Sequence, residues 1–326
     1  MSNKNTIPKE RAYNPKYTPP PLQVAFTIDE EIISPTGGIT IFSGLPKNGK
    51  TFFLTATIAS YFLNEDLFKL RLKLPTDKPL ITYMDTETPE HSFYKNIDLI
   101  KKFANGRFND QNFQAYRLRG LDSNEMITLI ENYVINTPLC GCIVIDGLLE
   151  LVIDENSPNE AKRIDTMLKN IGNNFNVTIL AVLHTNRGGN DTNGKLGSRM
   201  DKTADSVLLI KKNKEQKNVY DLMGTLLRYA KKELETISIR REDNSVHYVE
   251  TEKPFKQRTY KDWTIQEHKQ LAQTTIPQRG YTYKEMLDDI QASQAIGVSY
   301  SKQIVKIWIA EKIISQKQDK LYYYNP

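Results

Sequence analysis

The sequence predicts an α/β protein with a parallel sheet carrying helices on both faces, an antiparallel extension at one sheet edge, and a small helical unit with a β-ribbon near the C-terminal end. Three observations carry this expectation. From Gly37 onward, short β-branched runs alternate with longer stretches of helical periodicity, the pattern of right-handed crossovers feeding parallel strands. After Ser206 the apolar runs follow one another closely with turn residues between them, which suits antiparallel strands. Beyond residue 277, two helical stretches flank a break at Gly297 and lead into a short ribbon.

Residues 1–23 carry Pro8, Pro15, Pro19, Pro20 and Pro21, so they are expected as an extended arm that forms no core element by itself. The main domain is placed at residues 24–250. Its strands are expected at Ile39–Ser43, Leu80–Asp85, Phe113–Arg117, Cys142–Asp146, Val177–His184 and Ser206–Lys211. Helices are expected at Lys50–Leu63, Glu90–Ala104, Ser123–Asn136 and Asn159–Asn173. Val219–Gly224, Glu235–Arg240 and Val246–Glu250 make the antiparallel extension, with a turn at Asp243-Asn244-Ser245. A polar linker is expected over residues 251–277, followed by a C-terminal unit over residues 278–326. No internal repeat is visible.

With 326 residues and 39% apolar content, the chain can bury one large core and a small satellite. The first twenty residues are polar, with no apolar stretch resembling a secretory signal, and no run approaches the ~18 apolar residues of a membrane span. Cytoplasmic location and no membrane partner are the expectation. Cys140 and Cys142, two apart on one strand, would share a face at a separation that does not suit a relaxed disulfide, and two ligands make no zinc site. The net charge of +5 permits contact with nucleic acid without arguing for it. Residues 251–326 hold 12 Lys/Arg against 8 Asp/Glu, so four of the five excess charges lie there.

The strongest motif is Gly44-Leu-Pro-Lys-Asn-Gly-Lys-Thr51, which follows an expected strand and opens an expected helix: a Walker A loop in its required setting. Gly44 and Gly49 let successive backbone N–H groups turn inward toward phosphates, and the helix opening at Lys50 adds its positive end. Gly44, Pro46, Lys47, Asn48, Gly49, Lys50, Thr51 and Phe52 are therefore the expected nucleotide-binding residues, with Lys50 on the β- and γ-phosphates and Thr51 on Mg²⁺. Cys142-Ile-Val-Ile-Asp146 is an apolar strand delivering a carboxylate beside that loop, so Asp146 is the second expected metal residue. Gly147 follows it, so the base that orients water is sought elsewhere. The strand ending Asp85-Thr86-Glu87 offers Glu87, with Asp85 in reserve; capping of the next helix is the competing explanation for both acids.

The order of these motifs, followed by a strand ending Leu183-His184-Thr185-Asn186, resembles the RecA-like P-loop ATPases. Within them it is most similar to hexameric plasmid replicative helicases of the RepA type and to related AAA ATPases of bacterial mobile elements. The resemblance covers approximately residues 21–250. It implies a RecA-like parallel-sheet P-loop NTPase core that binds ATP and Mg²⁺ and assembles as a homo-oligomeric ring or filament. It further implies Glu87 as catalytic glutamate and His184 as a sensor of the γ-phosphate. The segment Arg187–Arg199 then matches a channel-facing DNA loop, with Arg187, Lys195 and Arg199 as contacts, a surface loop being the plainer reading. Arg228 and Lys231 resemble the basic finger that one subunit inserts into its neighbour's site, although such cations on edge strands also discourage aggregation.

In the C-terminal unit, helix Ser299–Glu311 is expected to bury Val305, Trp308 and Ile309 and to expose Ser301, Lys302, Gln303 and Lys306, with Lys317 and Lys320 on the turn of the ribbon. These are the parts of a winged helix-turn-helix, which binds duplex DNA or docks a protein. Tyr322, Tyr323 and Tyr324 either stack on bases or pack the ribbon on its helices. The combined expectation is an ATP-hydrolysing, DNA-binding, helicase-like motor acting on single- or double-stranded DNA in replication or mobilisation of a genetic element. The alternative is a non-motor ATPase switch that loads or regulates a partner on DNA.

Overall fold

The computed structural model describes residues 13–185, 194–213, 215–241, 246–249, 263–294 and 298–325. Strands β1 (Val24–Ile28), β2 (Glu31–Pro35) and β3 (Ile39–Gly44) precede helix α1 (Lys50–Leu63). Next come β4 (Leu70–Leu72), β5 (Leu80–Asp85), α2 (Glu90–Phe103), β6 (Phe113–Arg117) and α3 (Ser123–Asn136). After these follow β7 (Cys140–Asp146), α4 (Pro158–Phe175), β8 (Thr178–His184), α5 (Gly194–Thr203) and β9 (Ser206–Lys212). Strands β10 (Val219–Leu227), β11 (Ile237–Arg241) and β12 (Val246–Val249) complete the first of two units, which meet in sequence at residue 251. The second holds α6 (Ile265–Thr275), α7 (Tyr283–Gln294), α8 (Val298–Ala310), β13 (Ile314–Gln316) and β14 (Tyr322–Tyr324).

Among the described residues, the large sheet has the order β6-β5-β7-β8-β3-β9 in parallel, continued by antiparallel β10-β11-β12. Its inner parallel strands are buried nearly throughout because helices cover both faces, while the edge strand β6 is largely exposed. Phe53 and Ile58 of α1 and Phe93 and Ile100 of α2 pack on Tyr83, Val144 and Val182. Ile130 of α3, Leu168 of α4 and Met200 of α5 pack on Met84, Ile143 and Ala181 on the other face. Each such side chain, fully buried, contributes about 1.5–3 kcal/mol. A single strand, β8, separates β3 from β7, so the loops after β3, β5, β7 and β8 open on one carboxyl edge, where ligands of such sheets bind.

Several expectations are corrected by this architecture. A second small sheet, β2-β1-β4, went unforeseen; it covers α1 with Phe26, Ile28 and Ile33. Its hairpin turns through Asp29 and Glu30, both at positive φ (49° and 68°), a two-residue turn without the glycine that usually announces it. Cys140 and Cys142 are free and buried but lie on opposite faces, because a register shift between β5 and β7 makes Gly141 a bulge. A Cβ on Gly141 would overlap the Lys78 carbonyl, which explains the glycine.

The span expected as linker contains α6, started by Thr264, whose hydroxyl accepts from Glu267 N while Glu267 returns a bond to Thr264 N. Ala272 of this helix packs with Ile290, Val305 and Trp308 in the core of the second unit. On α8 the inward stripe is Ser301, Ile304, Val305 and Trp308; Ser301 is fully buried and donates to the Val298 carbonyl, and Ile309 faces solvent. Tyr322 and Tyr324 pack against that core. No helix among the described residues is long and apolar enough to cross a membrane.

Candidate active site

Strand β3 ends at Gly44 and the chain curls through residues 45–49 before α1 begins. Gly49 sits at φ 88°, and a Cβ there would press to 3.1 Å against the Tyr220 ring. Lys50, buried to 6% exposure, folds back so that its ammonium donates to the carbonyls of Gly44 (3.0 Å) and Leu45 (2.9 Å). Its third neighbour is His184 Nδ1 at 3.1 Å. A charged ammonium only donates, so Nδ1 is the acceptor and the imidazole proton resides on Nε2. That Nε2 lies 3.5 Å from Glu87 Oε1. Lys50 at the start of α1, His184 at the end of β8 and Glu87 just past β5 thus form one chain of contacts. Burial lowers the Lys50 ammonium to about 8, against the upward pull of Glu87 and Asp146.

Glu87 is half-exposed, and its carboxyl is lowered chiefly by its contact with His184, against burial, with Lys50 and Arg119 adding to the lowering. The turn presenting it is fixed from two sides. Asp85 accepts from the N–H groups of Glu87 (3.1 Å) and Thr88 (2.7 Å), and Thr86 donates to the carbonyls of Asp146 (3.0 Å) and Gly147 (2.7 Å). Asp85 therefore caps this turn, while α2 itself starts after Pro89 with no side-chain cap.

Asp146 ends β7 beside the start of α1. Its Oδ2 accepts from Thr51 Oγ1 at 3.2 Å and from Tyr83 Oη at 2.7 Å. Burial raises the carboxyl to about 6; Tyr83 and Thr51 lower it by hydrogen bonding, and Asp85 and Glu87 raise it as like charges. The Asp146 and Thr51 oxygens are adjacent hard donors of the kind Mg²⁺ takes when phosphates and water complete its shell, so the pair fits that ion. Among the described residues no cluster of three or more His, Cys, Asp or Glu forms a complete protein cage.

These groups line one cleft of about 670 Å³. Pro46, Lys47, Gly49, Lys50, Thr51 and Phe52 border it, although the Phe52 ring turns into the core at 5.4 Å from Phe103. Gly44 and Asn48 belong to the same loop. Glu87, Asp146 and His184 also line the cleft. Sequence reasoning missed Tyr83 and Asn96, and also Tyr220 and Arg241, which reach the cleft from the antiparallel extension. None of them carries a motif: Tyr83 on β5 stands three strands from β3 and Tyr220 on β10 two, a proximity that strand order alone sets.

The remaining expected residues lie elsewhere. Arg187 is outside the described residues. Lys195 and Arg199 do not occupy a loop: both are on α5, where Leu196 and Met200 supply a buried face. The Arg199 guanidinium is bound to the buried Asp165 of α4 at 2.7 and 2.8 Å. Arg228 pairs with Asp205 at 3.6 Å, and the Lys231 backbone N–H donates to Glu31 at 2.8 Å. Both side chains face solvent away from the cleft.

The family model described as the AAA domain matches residues 27–190, just over half of the chain. No curated protein matches. The matched span runs from the first hairpin through the phosphate loop and both strand-end acids. The chain therefore belongs to the AAA domain family, and its central sheet is a P-loop ATPase core.

Proposed function

We propose that the cleft hydrolyses ATP and that the protein couples this to work on DNA. The reading is carried by the convergence of Lys50, His184 and Glu87 in one chain of contacts beside the Thr51–Asp146 pair. In this reading Lys50 leaves its two carbonyls for the β- and γ-phosphates, and backbone N–H groups of residues 45–51 surround the rest of the triphosphate. Asp146 and Thr51 would hold an accompanying Mg²⁺, which would neutralise phosphate charge. Glu87 orients water and takes its proton as the water oxygen bonds to the γ-phosphorus and the bond to the β–γ bridging oxygen breaks, leaving ADP and inorganic phosphate. His184, between Lys50 and Glu87, senses occupancy: phosphate that draws Lys50 away frees Nδ1 and alters the hold on Glu87.

The second unit supplies the DNA contact as a winged helix-turn-helix. Lys302, Gln303 and Lys306 are exposed on α8, the helix that would enter the major groove, and Lys320 lies at the turn of the ribbon. Lys317 sits 4.2 Å over the Tyr323 ring. Strand order and motif order favour a RecA-like motor of the RepA type, assembled as a ring or filament with ATP between subunits. The binding of Arg199 to Asp165 favours the second reading, a non-motor switch that loads or regulates a partner on DNA. ATP turnover measured with and without single- and double-stranded DNA tests the shared reading: DNA should stimulate it, and Lys50→Ala should abolish it. Strand displacement on a forked duplex separates the two. Turnover indifferent to DNA would remove both.

A further inference from the structure

Tyr83 is a tyrosine in the middle of β5, fully buried, in a run where aliphatic residues would fill the space as well. Its ring stacks on Phe93 of α2 at 6.2 Å, and its hydroxyl reaches beyond its own register partner, Val144, to Asp146. A phenol carries its proton at neutral pH, so Tyr83 donates to Oδ2, at 2.7 Å. Asn96, on the α2 wall of the cleft, donates in turn to Tyr83 Oη at 3.3 Å. A phenol that accepts from Asn96 has its proton directed to the carboxylate. The same Oδ2 also receives Thr51, so the second oxygen of Asp146 is left for an ion.

We infer that Tyr83, oriented by Asn96, is a positioning residue that fixes the Asp146 carboxylate in the rotamer needed to hold the nucleotide's divalent cation. The inference rests on the proposed ATPase reading. Outer partners of this kind set ligand orientation, and their loss typically changes metal affinity or activity about 10–100-fold.

The test uses the full chain with Tyr83→Phe, which keeps the ring and its Phe93 contact, and Asn96→Ala, which removes the outer donor and trims the cleft wall. Phe93→Leu disturbs the packing and leaves the hydroxyl. Binding of a fluorescent ATP analogue is measured in EDTA and across a Mg²⁺ titration, together with kcat. For Tyr83→Phe the expected result is metal-free nucleotide affinity within about twofold of wild type, with the half-saturating Mg²⁺ concentration raised, or kcat lowered, about 10-fold or more. Asn96→Ala should move the same quantities less, and Phe93→Leu should not move the Mg²⁺ midpoint. Unchanged Mg²⁺ midpoint and kcat in Tyr83→Phe would overturn the inference, as would a matching shift in Phe93→Leu. Absence of Mg-nucleotide binding by wild type is a different outcome, and it would overturn the ATPase reading together with this one.

Discussion

Glu87 and Asp146 end neighbouring elements of the same sheet edge, and their surroundings drive the two carboxyls apart. The His184 contact lowers Glu87, which keeps it ionised. Burial raises Asp146 to about 6, so its charged form is disfavoured where it stands. The sign of its effect on stability follows. Between 3.8 and about 6 the native chain holds a proton that the unfolded chain has lost, so this contribution falls as pH rises through that window. Asp146→Asn is therefore expected to stabilise the nucleotide-free protein at pH 7 by about 1–3 kcal/mol while eliminating turnover. Urea denaturation of both proteins at pH 3.5 and pH 7 checks this, and the gain should vanish at the lower pH. Single positions were legible where a motif enforces them: Lys50 and Thr51 follow from the Walker A spacing, and Asp146 from the apolar strand that it ends, which the structure brings to Thr51. Tyr83 was not, because a mid-strand tyrosine carries no mark until the register of β5 against β7 brings it to Asp146.

At the scale of elements, α5 shows how a polar, glycine-rich stretch becomes a helix. Leu196 and Met200 provide a buried stripe, and Arg199 and Lys169 both bind the buried Asp165. Burial would raise that carboxyl, but hydrogen bonds from Lys169, Arg199 and Thr203 outweigh it and lower it. Removing Arg199 leaves a buried carboxylate with a half-exposed lysine as its main partner. Arg199→Ala should destabilise the fold by about 1–3 kcal/mol, below the full cost of breaking a buried pair because both cations reach solvent. Thermal and urea unfolding read this, with turnover per folded molecule expected to stay near wild type. The long periodic helices were legible from their pattern. The weak apolar content of α5, the glycine-free hairpin at Asp29-Glu30 and the bulge at Gly141 were not, since each depends on a partner distant in sequence. Helix α6 was signalled by Thr264 and Glu267, a capping pair inside an otherwise polar span.

For the whole molecule, the second unit gives the DNA reading its own test. Lys302→Glu with Lys306→Glu, on the exposed face of α8, should weaken duplex binding and reduce the magnitude of the salt slope by about 2. ATP turnover without DNA should be unchanged. A salt slope equal to that of wild type would assign this face to a protein partner. The central claim concerns the cleft itself, and the most direct measurement is parallel ATP binding and single-turnover hydrolysis by wild type and Glu87→Gln in Mg²⁺. The expected result is that both retain ATP with similar affinity, while the variant cleaves it at least about 100-fold more slowly. Wild-type cleavage rates in Glu87→Gln, or no retained Mg-nucleotide in wild type, would contradict the account.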